Sequence, residues 1–470
     1  MAQQNGATRL DRTHIVLVPG FGAFDALGQV EYYAGVTSLF QLWQDRNQAP
    51  VVLHYFDNLP TAAVTTRAAR LRNYLAKRMA RGEILKTDTI ILVGHSTGGL
   101  DIRQLVCDLH KRENEHLYVD GGPTVASQQI RERLKGVVFL SVPHWGTNIA
   151  DWVHSYPALR AMLIAELRAA VAGSQLYLLD TIEAQVAGGA ACLINAEMLL
   201  ALRDALTEAN QHYGKPGPSR TADAEEAASE LALYFRLMSS DFHAINDLAS
   251  RPHDPEKKSP AHFNDEERRK ERELWKHPPI RTLSYATVGS RAFCFPSGQA
   301  APVWELMNPF SYLEIAKELK FPVKTDLSYR ICYRACAGGP LVRPEKAGKI
   351  TRVLGQAPPE PLELWDNDGI VNTVSMLWPE GERVLVMADH LDVVGHYKLV
   401  ETPEAKRSRG HHGAARRYQA YDVLQSTPRF TSEMFEKLWM EIFDFSVHSK
   451  AFTHRRRVPA RPAKAVGAAA

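Results

Sequence analysis

Several things are scarce in this chain, and each scarcity closes off a class of protein. Cysteine is sparse: Cys107, Cys192, Cys294, Cys332 and Cys336 are the five in 470 residues. So low and odd a count does not suit a disulfide-stapled scaffold, and no second pair accompanies Cys332 and Cys336 to build a zinc knot. Reduced thiols are the expectation, with Cys332 and Cys336 the pair to bridge if the protein is exported. No uncharged apolar run reaches the ~18 residues that a membrane span needs. The first residues lack a basic stretch followed by an apolar one, so no signal peptide is read. The expected location is therefore cytoplasmic, or secreted if a signal has been removed. A one-sided charge is missing too. The 56 basic and 53 acidic residues leave a net charge of +3, which gives no global reason to expect a nucleic-acid partner. Basic runs at Lys406-Arg407-Ser408-Arg409 and Arg455-Arg456-Arg457 read as solvated surface or tail. No internal repeat is found. What remains is an ordinary globular composition, 45% hydrophobic and 23% charged, in a chain long enough to bury a sizeable core.

Short, almost continuously apolar runs suit strands covered on both faces. They lie at 14–18, 50–56, 89–93 and 136–141, and again at 280–288 and 383–387. Helical patterns fall between them, at 65–79 and 100–109, and another closes the fold at 432–445. Alternating strand and helix predicts an α/β protein with a mostly parallel central sheet flanked by helices. From residue 151 to 280 the character changes to Ala- and Leu-rich helices broken by polar stretches, one at 214–218 and a more charged one at 251–276. The expected organisation is a first half of the core at 10–150, a helical cap or lid insertion at 151–280, a second half at 281–450, and a disordered basic tail at 451–470. Leu193, Ile194, Met198, Leu199 and Leu202 form an apolar stripe that suits an amphipathic lid or the core of a helical subdomain.

The strongest local signal is Gly94-His95-Ser96-Thr97-Gly98, a G-x-S-x-G between a predicted strand and a predicted helix. A sharp turn there lifts a serine into strained backbone, and bulky neighbours at the two glycines would clash. Ser96 is the candidate nucleophile. Two backbone N–H groups are needed for an oxyanion, and Thr97 and Phe21 are the candidates, Phe21 from the loop Pro19-Gly20-Phe21-Gly22 after the first strand. A serine also needs a base, and the base an orienting carboxylate, in the chain order serine, acid, histidine. Asp368 and His390 satisfy that order; Asp366 and Asp389 compete for the acid, and His144, His243 and His396 for the base.

Three stretches resemble the bacterial triacylglycerol lipases of the thermophilic Bacillus and staphylococcal type, members of the α/β-hydrolase superfamily. They are Gly94 to Gly99, then Asp366-Asn367-Asp368-Gly369-Ile370-Val371-Asn372-Thr373-Val374-Ser375-Met376, then Asp389-His390-Leu391-Asp392-Val393-Val394-Gly395. The resemblance implies an α/β-hydrolase fold with a helical lid and a triad of Ser96, Asp368 and His390. Pro143-His144-Trp145-Gly146-Thr147 is similar to another segment of that family and implies that His144 and Trp145 are structural or line the substrate pocket.

The chain departs from that family at three places. The oxyanion loop reads Pro-Gly-Phe where the family has His-Gly-Phe, which leaves the Phe21 backbone donor in place. Between His54 and Ser96 the only histidine is His95, so the family's zinc site is not expected. Asp392 matches one calcium ligand of the family, but Tyr397 stands where a second acidic ligand belongs, so no metal or other cofactor is expected. The expected activity is hydrolysis of a carboxylic ester, lipid or polyester-like, with transient contact to a lipid interface. An acyltransferase using the same triad with a non-water acceptor is the alternative.

Overall fold

The computed structural model describes residues 11–22, 26–27, 30–117, 123–155, 237, 241–252, 258–290, 333, 336–337, 347–356, 358, 361–397 and 430–448. The apolar stripe at 193–202, Cys332, the two basic runs and the tail at 451–470 lie outside them.

Seven strands form one sheet: β1 (Thr13–Val18), β2 (Val51–Tyr55), β3 (Thr89–His95), β4 (Leu134–Leu140), β5 (Arg281–Val288), β6 (Arg352–Leu354) and β7 (Glu382–Met387). Their order is β6-β7-β5-β4-β3-β1-β2, and every neighbouring pair is parallel. Among the described residues the α-helices are α1 (Val36–Asn47), α2 (Val64–Ala80), α3 (Thr97–Lys111), α4 (Ser127–Arg133), α5 (Asn148–Ser155), α6 (Ala244–Leu248), α7 (Asp265–Leu274) and α8 (Ser432–Val447). None is long and apolar enough to cross a membrane. The parallel sheet in this order, with a strand-turn-helix at β3–α3, is an α/β-hydrolase fold.

Side chains alternate across a strand, so each strand feeds two cores. Ile15, Leu17, Ile91, Val93, Val138 and Leu140 face α1 and α8. Val16, Val18, Ile90, Leu92, Val137 and Phe139 face α2 and α3. On the first side Phe435, Leu438, Trp439, Ile442 and Phe443 of α8 recur at helical spacing and are buried. There Phe40 meets Phe443 edge-on at 5.4 Å, and the Trp43 indole donates to Asp444 Oδ1 at 2.9 Å.

Two elements depart from the sequence reading. β6 is three residues long at the sheet edge, too short to show a pattern. The charged stretch expected as a loop at 251–276 contains α7 instead. Asn264 caps this helix in a reciprocal capping box with Glu267, satisfying two end groups at once. Glu271 turns inward and meets Arg103 of α3, Nη2 to Oε2 at 2.7 Å, both side chains buried. The charge of this segment is thus the outer face of a helix.

The connections place the site. From β1 the chain moves to β2 at one edge, then returns to the other side of β1 for β3. At such a reversal the loops after the two neighbouring strands diverge and leave a crevice at their C-terminal ends.

On the α2 side of the sheet, His14 and His54 stack, with His14 Nδ1 and His54 Nε2 2.8 Å apart. His14 Nε2 lies 3.1 Å from Asp88 Oδ2. Burial would raise the Asp88 carboxyl, but the Leu85 and Arg12 N–H groups and the His14 ring bring it down to about 2. Burial first, and His14 second, lower the His54 imidazole to about 4. An unfolded chain, with imidazoles near the ordinary value of about 6.5, takes up more protons between the two values. His54 therefore contributes stability in full above about 6.5, and that contribution is lost as pH falls through this window. Glutamine can donate or accept at this position without titrating. We expect His54→Gln to remove acid sensitivity on the order of 1–2 kcal/mol between pH 7 and pH 5. Thermal melts of both proteins at the two pH values test this, and equal losses of Tm would refute it.

Candidate active site

Ser96 stands between β3 and α3 with φ 53° and ψ −129°, a positive φ that non-glycine residues seldom adopt. Holding it there costs about 1–3 kcal/mol, which the surrounding packing must offset. The packing is tight. A Cβ on Gly98 would lie 2.3 Å from the Val18 carbonyl oxygen, so only glycine lets α3 start against the end of β1. As the first residue of α3, Thr97 has an N–H with no acceptor within its own helix.

The candidate acid and base come together. The Asp366–Asp368 turn docks on the end of β5, where Gly289 N–H donates to the Asn367 carbonyl at 2.9 Å. His390 follows β7, and its backbone N–H donates to the Asp368 carbonyl at 3.0 Å. Its ring Nδ1 lies 2.7 Å from Asp368 Oδ2. The carboxylate also accepts Thr287 Oγ1–H at 2.6 Å and the N–H groups of Ile370 and Val371 at 3.1 and 2.8 Å. An ionised carboxylate only accepts, so Nδ1 carries the imidazole proton and Nε2 has its lone pair available. Asp389 Oδ1 accepts from Leu391 N and Asp392 N, and Asp392 Oδ2 accepts from Asp389 N, which fixes the turn around His390. Among the described residues no group of three His, Cys, Asp or Glu side chains is arranged to hold a metal ion.

Ser96 and His390 open on one cavity, walled by Phe21, Ile149, Val153, Leu248, Val371 and Leu391 and other apolar side chains. The competing residues sit elsewhere. Asp366 Oδ2 accepts the Glu363 N–H at 2.7 Å. His243 is exposed beside Asp241, and His396 Nε2 lies 3.2 Å from the Tyr32 carbonyl oxygen. His144 and Trp145, expected to be structural or substrate-lining, are not among the residues around this cavity. His144 is fully buried, 4.7 Å from the Phe139 ring and 4.8 Å from Trp378, and burial holds its ring neutral. Trp145 faces a separate cleft beside Trp378 and stacks under the Arg268 guanidinium at 4.0 Å. The reason is local: backbone bonds from His144 N and Trp145 N to Ser375 turn this segment toward α7.

Sequence reasoning missed Arg67, Asp101 and Thr287. Arg67 is one of four arginines on α2, and its complete burial sets it apart from the others. Its Nε donates to both Asp101 carboxylate oxygens at 3.1 and 3.0 Å, and Nη2 donates to the carbonyls of Pro19 and Gly20 at 2.7 and 3.1 Å. Nη1 donates to the carbonyls of Leu59 and Pro60. A trans peptide points its C=O and N–H in opposite directions. The grip on the Gly20 carbonyl therefore turns the Phe21 N–H away from Arg67. Burial raises the Asp101 carboxyl to about 6 against the pull of Arg67.

Removing one partner of a buried ion pair leaves an uncompensated charge, which typically costs about 3–5 kcal/mol. We expect Asp101→Asn to destabilise the protein by about 3 kcal/mol in urea denaturation; a loss below about 1 kcal/mol would show that the backbone carbonyls alone satisfy Arg67.

Solved structures align over most of the chain. Lipase 1 from Pelosinus fermentans is 14% identical over 92% of this chain and 99% of that one, with a TM-score of 0.38. A lipase from Staphylococcus hyicus is 14% identical over 93% and 95%, with a TM-score of 0.36. A metagenomic carboxyl esterase is 12% identical over 92% and 76%, with a TM-score of 0.31. No family model matches the chain, and no curated protein matches it.

Proposed function

We propose that this protein is a serine hydrolase of carboxylic esters with apolar acyl groups, of the triacylglycerol lipase type. The observation that carries the reading is the 2.7 Å contact of His390 Nδ1 with Asp368, in a cavity that Ser96 shares with His390. Ser96 Oγ attacks the ester carbonyl carbon while His390 Nε2 takes its proton. The negative carbonyl oxygen is met by the N–H groups of Phe21 and Thr97. Asp368 keeps the imidazole in the required tautomer and stabilises its cation. The tetrahedral adduct collapses, the ester C–O bond breaks, and His390 hands the proton to the departing alcohol. Water, deprotonated by His390, then attacks the acyl-Ser96 carbonyl; the acyl C–Oγ bond breaks, His390 returns the proton to Ser96 Oγ, and the acid is released.

The apolar walls favour an acyl chain over a polar substituent. The segment at 151–280, most of it outside the described residues, is the proposed cap, and its described part supplies Val153, Ile245 and Leu248 to the cavity wall. Each methylene that enters the cavity is worth about 0.8 kcal/mol at most, so kcat/KM should rise about two- to fourfold per carbon until the cavity is filled. A p-nitrophenyl ester series from acetate to palmitate, followed by emulsified triglyceride, measures this. Ser96→Ala should lower kcat by a factor on the order of 10⁴ or more while leaving the thermal melt intact. Retained turnover in that variant would overturn the assignment.

A further inference from the structure

The residue before the nucleophile, His95, is left without a role by the triad, and so is Tyr32, which lines the same cavity. Both are buried. The Gly20 N–H donates to the Tyr32 hydroxyl oxygen at 2.9 Å, that oxygen lies 2.6 Å from His95 Nδ1, and His95 Nε2 lies 2.9 Å from the His390 carbonyl oxygen. We propose that Tyr32 and His95 are positioning residues, whose hydrogen-bonded chain fixes the oxyanion loop at Gly20 to the backbone of the base at His390. This rests on the serine-hydrolase reading above.

The chain has one possible direction. A carbonyl oxygen only accepts, so His95 Nε2 carries a proton. Burial, with His390 adding to it, holds the His95 ring well below the ordinary imidazole range, so the ring is neutral and Nδ1 accepts. Tyr32 must then donate to Nδ1, and its oxygen accepts from Gly20. Burial also drives the Tyr32 phenol far above its usual range, so its proton stays in place. One tautomer and one hydroxyl rotor satisfy every group.

The geometry makes the position of Gly20 depend on this chain. A Cβ on Gly20 would lie 2.6 Å from Ser96 Cβ and 2.7 Å from the Tyr32 oxygen, so its backbone is wedged between nucleophile and phenol. Arg67 holds its carbonyl from one side, and Tyr32 holds its amide from the other. Tyr32 is itself anchored toward the base loop, with its carbonyl 3.2 Å from His396 Nε2. The next peptide carries the Phe21 N–H. A shift of Gly20 by a fraction of an ångström displaces that donor from the developing oxyanion, a loss felt in the transition state far more than in the bound substrate.

The test is Tyr32→Phe, which keeps the ring and removes the hydroxyl. Four readouts are taken: kcat and KM on a short p-nitrophenyl ester, the Kd of a trifluoromethyl ketone whose adduct places an oxyanion on the same donors, labelling of Ser96 by a fluorophosphonate, and the thermal melt. The expected result is a 10- to 100-fold fall in kcat, a weakening of ketone binding by a similar factor, KM within about threefold, and Ser96 still labelled to completion. His95→Asn retains an acceptor for Tyr32 but loses the link to His390, and it should lower kcat and ketone affinity in the same way. It also serves if Tyr32→Phe does not fold. A lower Tm with kcat and ketone affinity within twofold of wild type would reduce both residues to structural packing and overturn the inference. A KM that rises in step with the ketone Kd would also overturn it, because the damage would then be to binding in general. Wild-type protein left unlabelled at Ser96 would overturn the serine-hydrolase reading itself, a result separate from either outcome in the variants.

Discussion

Gly98 leaves no room for one added carbon between the start of α3 and the Val18 carbonyl, and the candidate site is arranged around that close approach. It sets the start of α3 against the end of β1, which is already paired with β3, so the Pro19–Gly20 loop and Ser96 become neighbours. Ser96 holds its strained backbone because β3 is paired on both sides, to β1 and to β4. The candidate acid and base arrive independently, in a turn that follows β6 and docks on the end of β5 and in the turn after β7, and are matched to each other by the backbone bond from His390 to Asp368 as well as by their side chains. Local strain at one residue is thus supported by an interior strand that is paired along both edges.

Buried charge does the remaining positioning. Arg67 and Arg103 are both fully buried, and each pairs with one carboxylate while donating to backbone carbonyls of a loop. Arg67 ties α2 and α3 to the Pro19–Gly20 loop; Arg103 ties α3 to α7 and to the His144 carbonyl. A guanidinium has five donors in a rigid fork, so one side chain can order several segments that share no regular structure. Such pairs add little net stability compared with apolar packing, but they specify geometry at the places where the loops meet.

The candidate triad residues are far more legible than the side chains that support them. Ser96, Asp368 and His390 stand in motifs with fixed spacing, and β1, β3, β4 and β5 are long apolar runs, so pattern alone locates them. β6 is too short for periodicity, and α7 was hidden by its charge, although Asn264 and Glu267 have the spacing of a capping box. Arg67 and Tyr32 carry no pattern at all. Their part comes from contacts that span dozens of residues, which only the folded chain supplies. His144 and Trp145 are the intermediate case: their motif left a structural or a pocket-lining part open, and the bonds of their N–H groups to the Ser375 carbonyl and hydroxyl are contacts that only the folded chain supplies.

The packing of α8 on α1 has a consequence for how the protein comes to exist. One face of the sheet, with Ile15, Leu17, Ile91 and Val93, is closed by α1 together with a helix from residues 432–447. At a synthesis rate of about 5–20 residues per second, roughly 20–70 seconds separate the appearance of α3 from that of α8. During that interval α1 alone is available to cover this apolar sheet face on the ribosome-bound chain, and the part that α8 will occupy is a standing invitation to chaperones and to neighbouring nascent chains alike.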